Sequence, residues 1–528
     1  MAQIVYRGNL SAKSFPFLTD FQGRTVIVQG QDNTFNRSLT STEDVDKDVG
    51  VPVMYYCHNV IPAPYGFSSV GYEQILAPYV PASTTFKSIK LLRTNALGPT
   101  VNGPRVYFSP QANGKCYYFA LGATSWSLVG TTVAGVTDAT VVTYATLQGI
   151  TYIFFAGIGC YKYDSGSNTL IPVTLTGLDP LKILGVTTYQ GYMVTYDSNS
   201  VYWSSILDVD YTTNSVDFTP SLLTGSGNIR PEGARGPITV VLPATFGLAV
   251  YTTSNIVSAV YSGNSRYPFN FKEVVASGGC TSGDLVTYDS NTGNQYAYTT
   301  SGVQTVTATA TQTSFPEVTD FLAGQNFEDF NEVTQAFSQT ILSTPMKKKL
   351  TSVADRYLIF SYGISELTHS IVYDMTQKRF GKLKFTHVDC FEYEYLDPAL
   401  ADAPRRSLAF MRPDGSIHIL NPSVTYAQSR GVILLGKFQY VRSRALTLEG
   451  LDIQTVHPTQ SAIVYDLKSN SGGTLESVDK VLGYETSQSG QSQRTYKFHV
   501  TGLNHSILII GGFFLASFVL TFHTHGRR

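Results

Sequence analysis

The sequence predicts an all-β protein: a β-propeller with an additional small β-domain at the C-terminus and one short helical insertion. Two observations carry this reading. The 528 residues include 45 Gly, 34 Tyr and 30 Phe but only 2 Trp and 6 Met, with Thr, Ser and Val throughout, a composition of strands and turns. Through the middle of the chain, an apolar and aromatic strand, a turn of Asp, Ser, Asn or Gly, and a second strand recur without an evident linker.

Residues 1–83 read as an N-terminal β or extended segment. Their opening, MAQIVYRGNLSAKSFPFLTDFQG, lacks the unbroken apolar run that a secretory signal needs, so synthesis and assembly in a cytoplasm are expected.

Residues 84–421 read as the propeller. One hairpin is YMVTYDSNSVYW (192–203), and another is LVTYDSNTGNQYAYTTSGVQTV (285–306). Looser copies fall at 153–163, 248–261, 357–380 and 408–420, the last turning on Pro413, Asp414 and Gly415. Their spacing of roughly 40 to 60 residues is that of propeller blades. A lone hairpin cannot bury its apolar face, whereas four-stranded sheets arranged radially bury it against their neighbours. A run of β-sandwich domains is the rival arrangement.

The helical insertion is expected over 319–337. There Phe327, Phe330, Val333 and Phe337 step by three and four between acids, predicting an amphipathic helix over the propeller's edge. Residues 422–528 form the expected small C-terminal domain, with strands near 432–435, 462–465 and 496–500. Within it, ILIIGGFFLASFVL (507–520) is shorter than the about 20 apolar residues of a membrane helix. Gly511 and Gly512 lie at its middle, so two buried strands around a Gly-Gly turn or bulge are expected, with no membrane span.

Charge limits the function. Net charge is −1, and 14% of residues are charged against about 25% in average proteins. No bulk basic field exists to grip a nucleic-acid backbone. Cys57, Cys116, Cys160, Cys280 and Cys390 are scattered without a CxxC pair, which argues against a disulfide framework or a thiolate zinc site. HExxH, GxSxG, GxxxxGKS/T and a GxGxxG in a βαβ setting are absent.

The remaining candidates have structural readings beside them. His523 and His525, next to Arg527 and Arg528, read as a solvated tail rather than a metal site. Lys347, Lys348 and Lys349 are the one dense cationic run and read as a solvated loop. Asp208, Asp210, Asp217, Glu232 and Asp289 can be considered as carboxylates for glycoside hydrolysis, but acids in Asp-Ser-Asn turns ordinarily bond their own backbone. His418 belongs to no nucleophile, base or metal set. No catalytic, cofactor-binding or metal residue is assigned, and no cofactor is expected.

Four features in series then carry a resemblance. They are VYWSS (201–205) with VDFT (216–219); GLAVYTTSNIV (247–257); GGC (278–280) with DLVTY (284–288) and TSGVQ (300–304); and the 315–337 segment leading to DRYLIF (355–360), IVYD (371–374) and RFGK (379–382). In this order the stretch resembles the tail nozzle, also called the packaged-DNA-stabilisation or tail tubular protein, of short-tailed bacteriophages. It covers about a third of the chain.

The resemblance implies a structural virion protein forming a homohexameric ring below the portal. It implies binding to the head–tail adaptor and to tail needle or fibre proteins, transient non-specific contact with DNA in the channel, and closure of that channel until ejection. Neutral composition suits a bore that must not hold phosphates. The alternative is a glycan-binding or glycan-cleaving tail spike. A secreted propeller hydrolase is a third reading.

Overall fold

A computed structural model describes residues 3–9, 25–28, 54–63, 66–79, 85–93, 105–206, 214–264, 267–275, 277–289, 292–331, 336–353, 356–397, 403–421, 431–440, 446–455, 462–469, 493–502, 504–511 and 514–524. Its middle is a closed β-propeller of seven four-stranded blades. Blade 1 comprises Lys90–Arg93, Arg105–Pro110, Lys115–Ala120 and Ser127–Thr132, and blade 2 comprises Val142–Leu147, Ile150–Phe155, Gly159–Asp164 and Thr169–Thr176. Blade 3 is Gly185–Tyr189, Tyr192–Tyr196, Val201–Trp203 and Gly227–Ile229, and blade 4 is Ile238–Ala244, Gly247–Thr252, Ile256–Tyr261 and Phe269–Glu273. Blade 5 is Val286–Tyr288, Gln295–Thr299, Gly302–Val306 and Thr311–Thr313, and blade 6 is Lys347–Val353, Tyr357–Gly363, Leu367–Asp374 and Arg379–His387. Blade 7 takes three strands in sequence, Asp389–Asp397, Ala403–Met411 and Ile417–Asn421. Its fourth, Gly71–Leu76, comes from before blade 1.

Local sequence explains the blades. Leu147-Gln148-Gly149-Ile150 and Tyr189-Gln190-Gly191-Tyr192 each join the first and second strands through two residues of positive φ, at +49° and +80° in the first and +49° and +87° in the second. That geometry matches the right-handed twist of the strands it joins, and glycine adopts it freely. Between Tyr192–Tyr196 and Val201–Trp203, Asp197 Oδ1 accepts the amides of Asn199 and Ser200 at 2.7 Å, so the aspartate shapes its own turn.

Apolar clusters fill every gap between successive blades. Leu92, Phe108 and Val129 meet Ile153 and Phe155 between blades 1 and 2, and Tyr152, Phe154 and Val173 meet Val186 and Met193 between blades 2 and 3. One cluster runs through blades 3, 4 and 5, from Tyr192 and Trp203 to Val250, Val286 and Val306. Val303 reaches Leu350 and Phe360 across blades 5 and 6, Ile359 and Val372 reach Phe410 across blades 6 and 7, and Tyr107 and Phe119 reach Phe391 and Met411 from blade 1 to blade 7. A closed ring of blades leaves no long sheet edge to protect.

The expected helix is shorter than predicted. Pro316–Ala323 is helical and buries Val318, Phe321 and Leu322 between blades 5 and 6, but Asn326–Asn331 and Ala336–Ile341 form an antiparallel hairpin. The triad Phe327, Phe330 and Phe337 therefore lies on strands; Val333 lies outside the described residues. The reason is tertiary. Glu328 and Asp329 meet Lys382 and Lys384 of blade 6, ion pairs that a helical reading of the local pattern does not anticipate.

Strands from both chain ends build the rest together. Gly431–Tyr440 pairs with Asn504–Gly511, Thr25–Val28 and Met54–His58, and Ala462–Ser469 extends that sheet. In the other sheet, Phe514–Thr524 pairs with Gln3–Asn9, Leu446–Thr455 and Gly66–Ser69, and Val60–Ala63 joins it to the last strand of blade 6 through Val60 and Lys382. The apolar stretch 507–520 is thus two strands, with Ile507, Leu508 and Ile509 fully buried, but they enter different sheets instead of forming one hairpin. No helix among the described residues is long and apolar enough to cross a membrane.

Candidate functional site

The first strands of blades 2 to 7 pack against one another in succession around the propeller axis, while Lys90–Arg93 of blade 1 packs against Ile150–Phe155 of blade 2. Side chains stitch them together. Thr143 Oγ1 of blade 2 accepts the Val186 amide of blade 3 at 2.9 Å, and Thr287 Oγ1 of blade 5 accepts the Ser352 amide of blade 6 at 2.9 Å. Where the ring closes, Asp389 of blade 7 does the same for Ile89, just before blade 1, at 3.0 Å.

Asp389 has two further partners. Its Oδ1 lies 2.8 Å from Lys349 Nζ of blade 6 and accepts its neighbour's Cys390 amide at 3.0 Å. One carboxylate therefore joins blades 6, 7 and 1. Burial alone would lower the Lys349 pKa, but Asp389 and Asp284 outweigh it and raise it, keeping the ammonium charged.

The closing seam has an outer clasp. Trp126 Nε1 donates to Gly415 O at 2.8 Å, and its ring stacks on Phe86 at 5.1 Å. Gly415 has φ +80°, and a Cβ there would lie 2.5 Å from the Phe86 ring, so the Pro413-Asp414-Gly415 turn requires glycine on two counts. Tyr107 Oη accepts the Glu394 amide at 2.9 Å and donates to Glu392 O at 3.1 Å, while Arg105 pairs with Glu394 at 2.8 Å.

A second constellation joins the propeller to the strands of the chain ends. Lys382 Nζ lies 2.5 Å from Glu328 Oε2, with both side chains nearly inaccessible at 4% and 0% exposure. Asp329 pairs with Lys384 at 2.5 Å, and His369 Nε2 lies 3.6 Å from the same oxygen. Burial raises the Asp329 pKa, yet His369 and Lys384 overcome it and hold the carboxyl well below its usual range. Phe330 of the hairpin meets Tyr56 and His58 of Met54–His58, and burial pushes the adjacent Cys57 thiol up to about 12. Arg379 donates to Ala63 O, and a Cβ at Gly381 would come within 2.4 Å of Val60 O. The RFGK motif at 379–382 is therefore a contact surface of this joint.

The residues considered from sequence are dispersed. Asp217 sits on Ser215–Asp217, which pairs with the outer strand of blade 2, and its Oδ1 accepts the Thr219 amide at 2.8 Å. Glu232 is exposed between blades 3 and 4. Asp289 is buried at the end of the first strand of blade 5 and accepts the Thr292 hydroxyl at 2.5 Å. His418 lies on the third strand of blade 7, where burial, followed by Arg412, lowers its pKa to about 4. These positions occupy different blades, and the bonds named here are local.

Asp208, Asp210, His525, Arg527 and Arg528 lie outside the described residues, and His523 is on Phe514–Thr524. Lys347, Lys348 and Lys349 begin the first strand of blade 6 instead of a loop. A strand accommodates this run because Lys348 bonds Tyr298 Oη at 3.2 Å and Lys349 pairs with Asp389. All five cysteines are buried free thiols, and no group of three or more His, Cys, Asp or Glu among the described residues could hold a metal.

Sequence reasoning missed Asp389 and the Glu328–Lys382 pair. The available signal was alternation, since Lys382 and Lys384 stand two apart around Leu383.

No protein-family model matches the sequence, and no curated protein sequence matches it. Solved structures are similar in fold. The BT4673 extracellular domain from B. thetaiotaomicron aligns at TM-score 0.41 and 11% identity over 78% of this chain, which spans 50% of that one. YCF48 from Cyanidioschyzon merolae aligns at TM-score 0.39 and 10% identity, covering 66% of this chain and 99% of its own. The WD40 β-propeller domain of Doa1 aligns at TM-score 0.34 and 8% identity, covering 67% and 97%. At these identities the likeness is to the fold alone.

Proposed function

We propose that this chain is a non-catalytic structural virion protein, the tail nozzle of a short-tailed bacteriophage. In this reading it extends the portal channel, closes it after packaging and passes DNA at ejection. The observation that carries the reading is the serial order of the motifs between 201 and 382, which fall in blades 3 to 6 in that order. The last of them, RFGK, lies where the propeller meets the strands of the chain ends.

Two features support it. A propeller closed at its seam and tied through blade 6 to a second β unit is a stiff subunit of the kind a ring requires. The axis of each propeller is crowded by the first strands of its own blades, so DNA passes between copies and function depends on assembly. Ring closure then needs a heterologous interface, with one surface of each copy meeting a different surface of the next. The adaptor above and needle or fibre proteins below are the proposed partners, and the tail of the virion is the proposed location.

Imaging of the purified chain tests this reading. Six-fold rings that bind a head–tail adaptor support it. A trimer that binds or degrades host polysaccharide replaces it with the tail-spike reading.

A further inference from the structure

The hairpin of Asn326–Asn331 and Ala336–Ile341 is a sheet of two strands, and among the described residues neither pairs with a third. Side chains close the outer edge of Asn326–Asn331. Glu328 and Asp329 pair with Lys382 and Lys384 of blade 6, Phe330 O accepts Lys384 Nζ at 3.1 Å, and the Phe330 amide donates to Asp329 Oδ1 at 2.8 Å. The other strand is built differently. AFSQTI (336–341) has no charged residue and no proline, and its register with Asn326–Asn331 runs without a bulge. Ser338, Thr340 and Ile341 are exposed, Ile341 to 76%. Lysine, proline and bulges are the usual means by which an edge strand avoids pairing with another chain, and this strand uses none of them.

The phase of the ladder decides which groups face outward. The Leu342 amide donates to Gln325 O at 3.1 Å, and directly bonded pairs alternate along an antiparallel ladder. Ala336, Ser338 and Thr340 therefore bond Asn326–Asn331, while the backbone N–H and C=O of Phe337, Gln339 and Ile341 point away from it. These three positions are symmetric about Gln339. A second copy of the strand, laid antiparallel about a two-fold axis at Gln339, sets residue 339 against 339 and 337 against 341, each as a bonded pair. Ser338 then stands opposite Thr340. No like charges meet, the exposed Ile341 gains a cross-strand neighbour, and the two hairpins become one four-stranded sheet, the size of a blade.

We propose that Ala336–Ile341 is a self-association edge, on which a second copy of this chain docks by antiparallel strand addition about Gln339. Each copy contributes 6 residues of strand, fewer than the roughly 20–30 a side of a stable interface, so the pair forms reversibly. The contact is isologous and joins two particles without closing a ring. It is separate from the heterologous contact of the nozzle reading and stands whether or not that reading holds.

Sedimentation of the full chain over a range of concentrations tests this, with amide hydrogen exchange read on the same samples. A reversible doubling of particle mass is expected, whether the starting particle is one chain or a ring, with protection of the Phe337, Gln339 and Ile341 amides rising in step. Gln339→Pro removes the outward N–H at the axis while the ladder bonds of Ser338 and Thr340 remain, so doubling should weaken about tenfold or more with an unchanged circular dichroism spectrum. Ser338→Lys with Thr340→Lys sets ammonium against ammonium across the axis and should abolish doubling. Ser338→Lys with Thr340→Glu sets opposite charges there and should restore it. A wild-type particle whose mass never doubles overturns the proposal without any variant. Protection of the three amides without doubling assigns the edge to another segment of the same chain and overturns it too, as does doubling unaltered in the Lys-Lys variant. Rings that fail to form while doubling persists count against the nozzle reading alone.

Discussion

Asp389→Asn should open the propeller at its seam while leaving the side-chain volume nearly unchanged. Three contacts meet at this carboxylate: Lys349 Nζ at 2.8 Å, and the Ile89 and Cys390 amides at 3.0 Å. The amide side chain retains one carbonyl oxygen for the backbone donors but loses the charge, leaving the Lys349 ammonium, 19% exposed, without its partner. Removing one member of a buried pair costs about 3–5 kcal/mol, and the partial exposure of Lys349 places the effect toward the low end.

Lys349→Met alone leaves the carboxylate to two backbone amides and costs less. The double variant removes both charges and should recover about 1–3 kcal/mol relative to the sum of the single changes. The assay is denaturant unfolding followed by tryptophan fluorescence in a Trp203→Phe background. The chain has 2 Trp, so Trp126, stacked on Phe86 at the seam, becomes the reporter. An unchanged midpoint for Asp389→Asn, or a double variant equal to the sum of the singles, would refute the role of Asp389 as the three-blade staple.

Two further outcomes follow from the joint and from buried histidine. Gly381→Ala places a methyl 2.4 Å from Val60 O and 2.9 Å from Ile61 Cα, so backbone must move, at about 1–3 kcal/mol. Unfolding monitored by circular dichroism should show that loss, while Trp126 emission in the native protein stays unchanged because the seam is elsewhere. His387 is buried between Ser361 Oγ at 2.8 Å and Phe385 O at 2.7 Å, and burial lowers its pKa to about 4 from the ordinary value of about 6.5. Its depressed folded-state pKa makes the unfolded chain bind the proton more readily, so its stabilising contribution is complete above about pH 6.5 and is lost as pH falls towards 4. Denaturation midpoints measured across that window should decline, and His387→Gln should flatten the decline.

The hairpins were legible because their information is local. The Asp197 turn and the Asp414-Gly415 turn each lie directly between the strands they join, and the structure places them inside blades 3 and 7. The closing strand was not legible, since Gly71–Leu76 finds its partner Ile417–Asn421 only once the ring exists. The 319–337 segment failed for a related reason: Phe327 and Phe330 satisfy a helical step, but Glu328 and Asp329 are paired by lysines fifty residues later, and that pairing selects a strand. The lysine run was visible as charge, but its role at Asp389 depends on blade 6 meeting blade 7. Likewise, the two strands on either side of Gly511 and Gly512 are legible as apolar runs, but the pairing of Phe514–Thr524 with Gln3–Asn9 at the opposite end of the chain is not.

The proposed nozzle function requires copies of this chain to form a ring. Electron-microscopic imaging of purified particles, with class averages sorted by symmetry, measures that directly. The nozzle reading predicts six copies around a central bore, joined by one repeated heterologous interface, with Lys347, Lys348 and Lys349 inside each propeller and away from that bore. A monomer or trimer in the assembled virion, or a bore lined by those lysines, would contradict it.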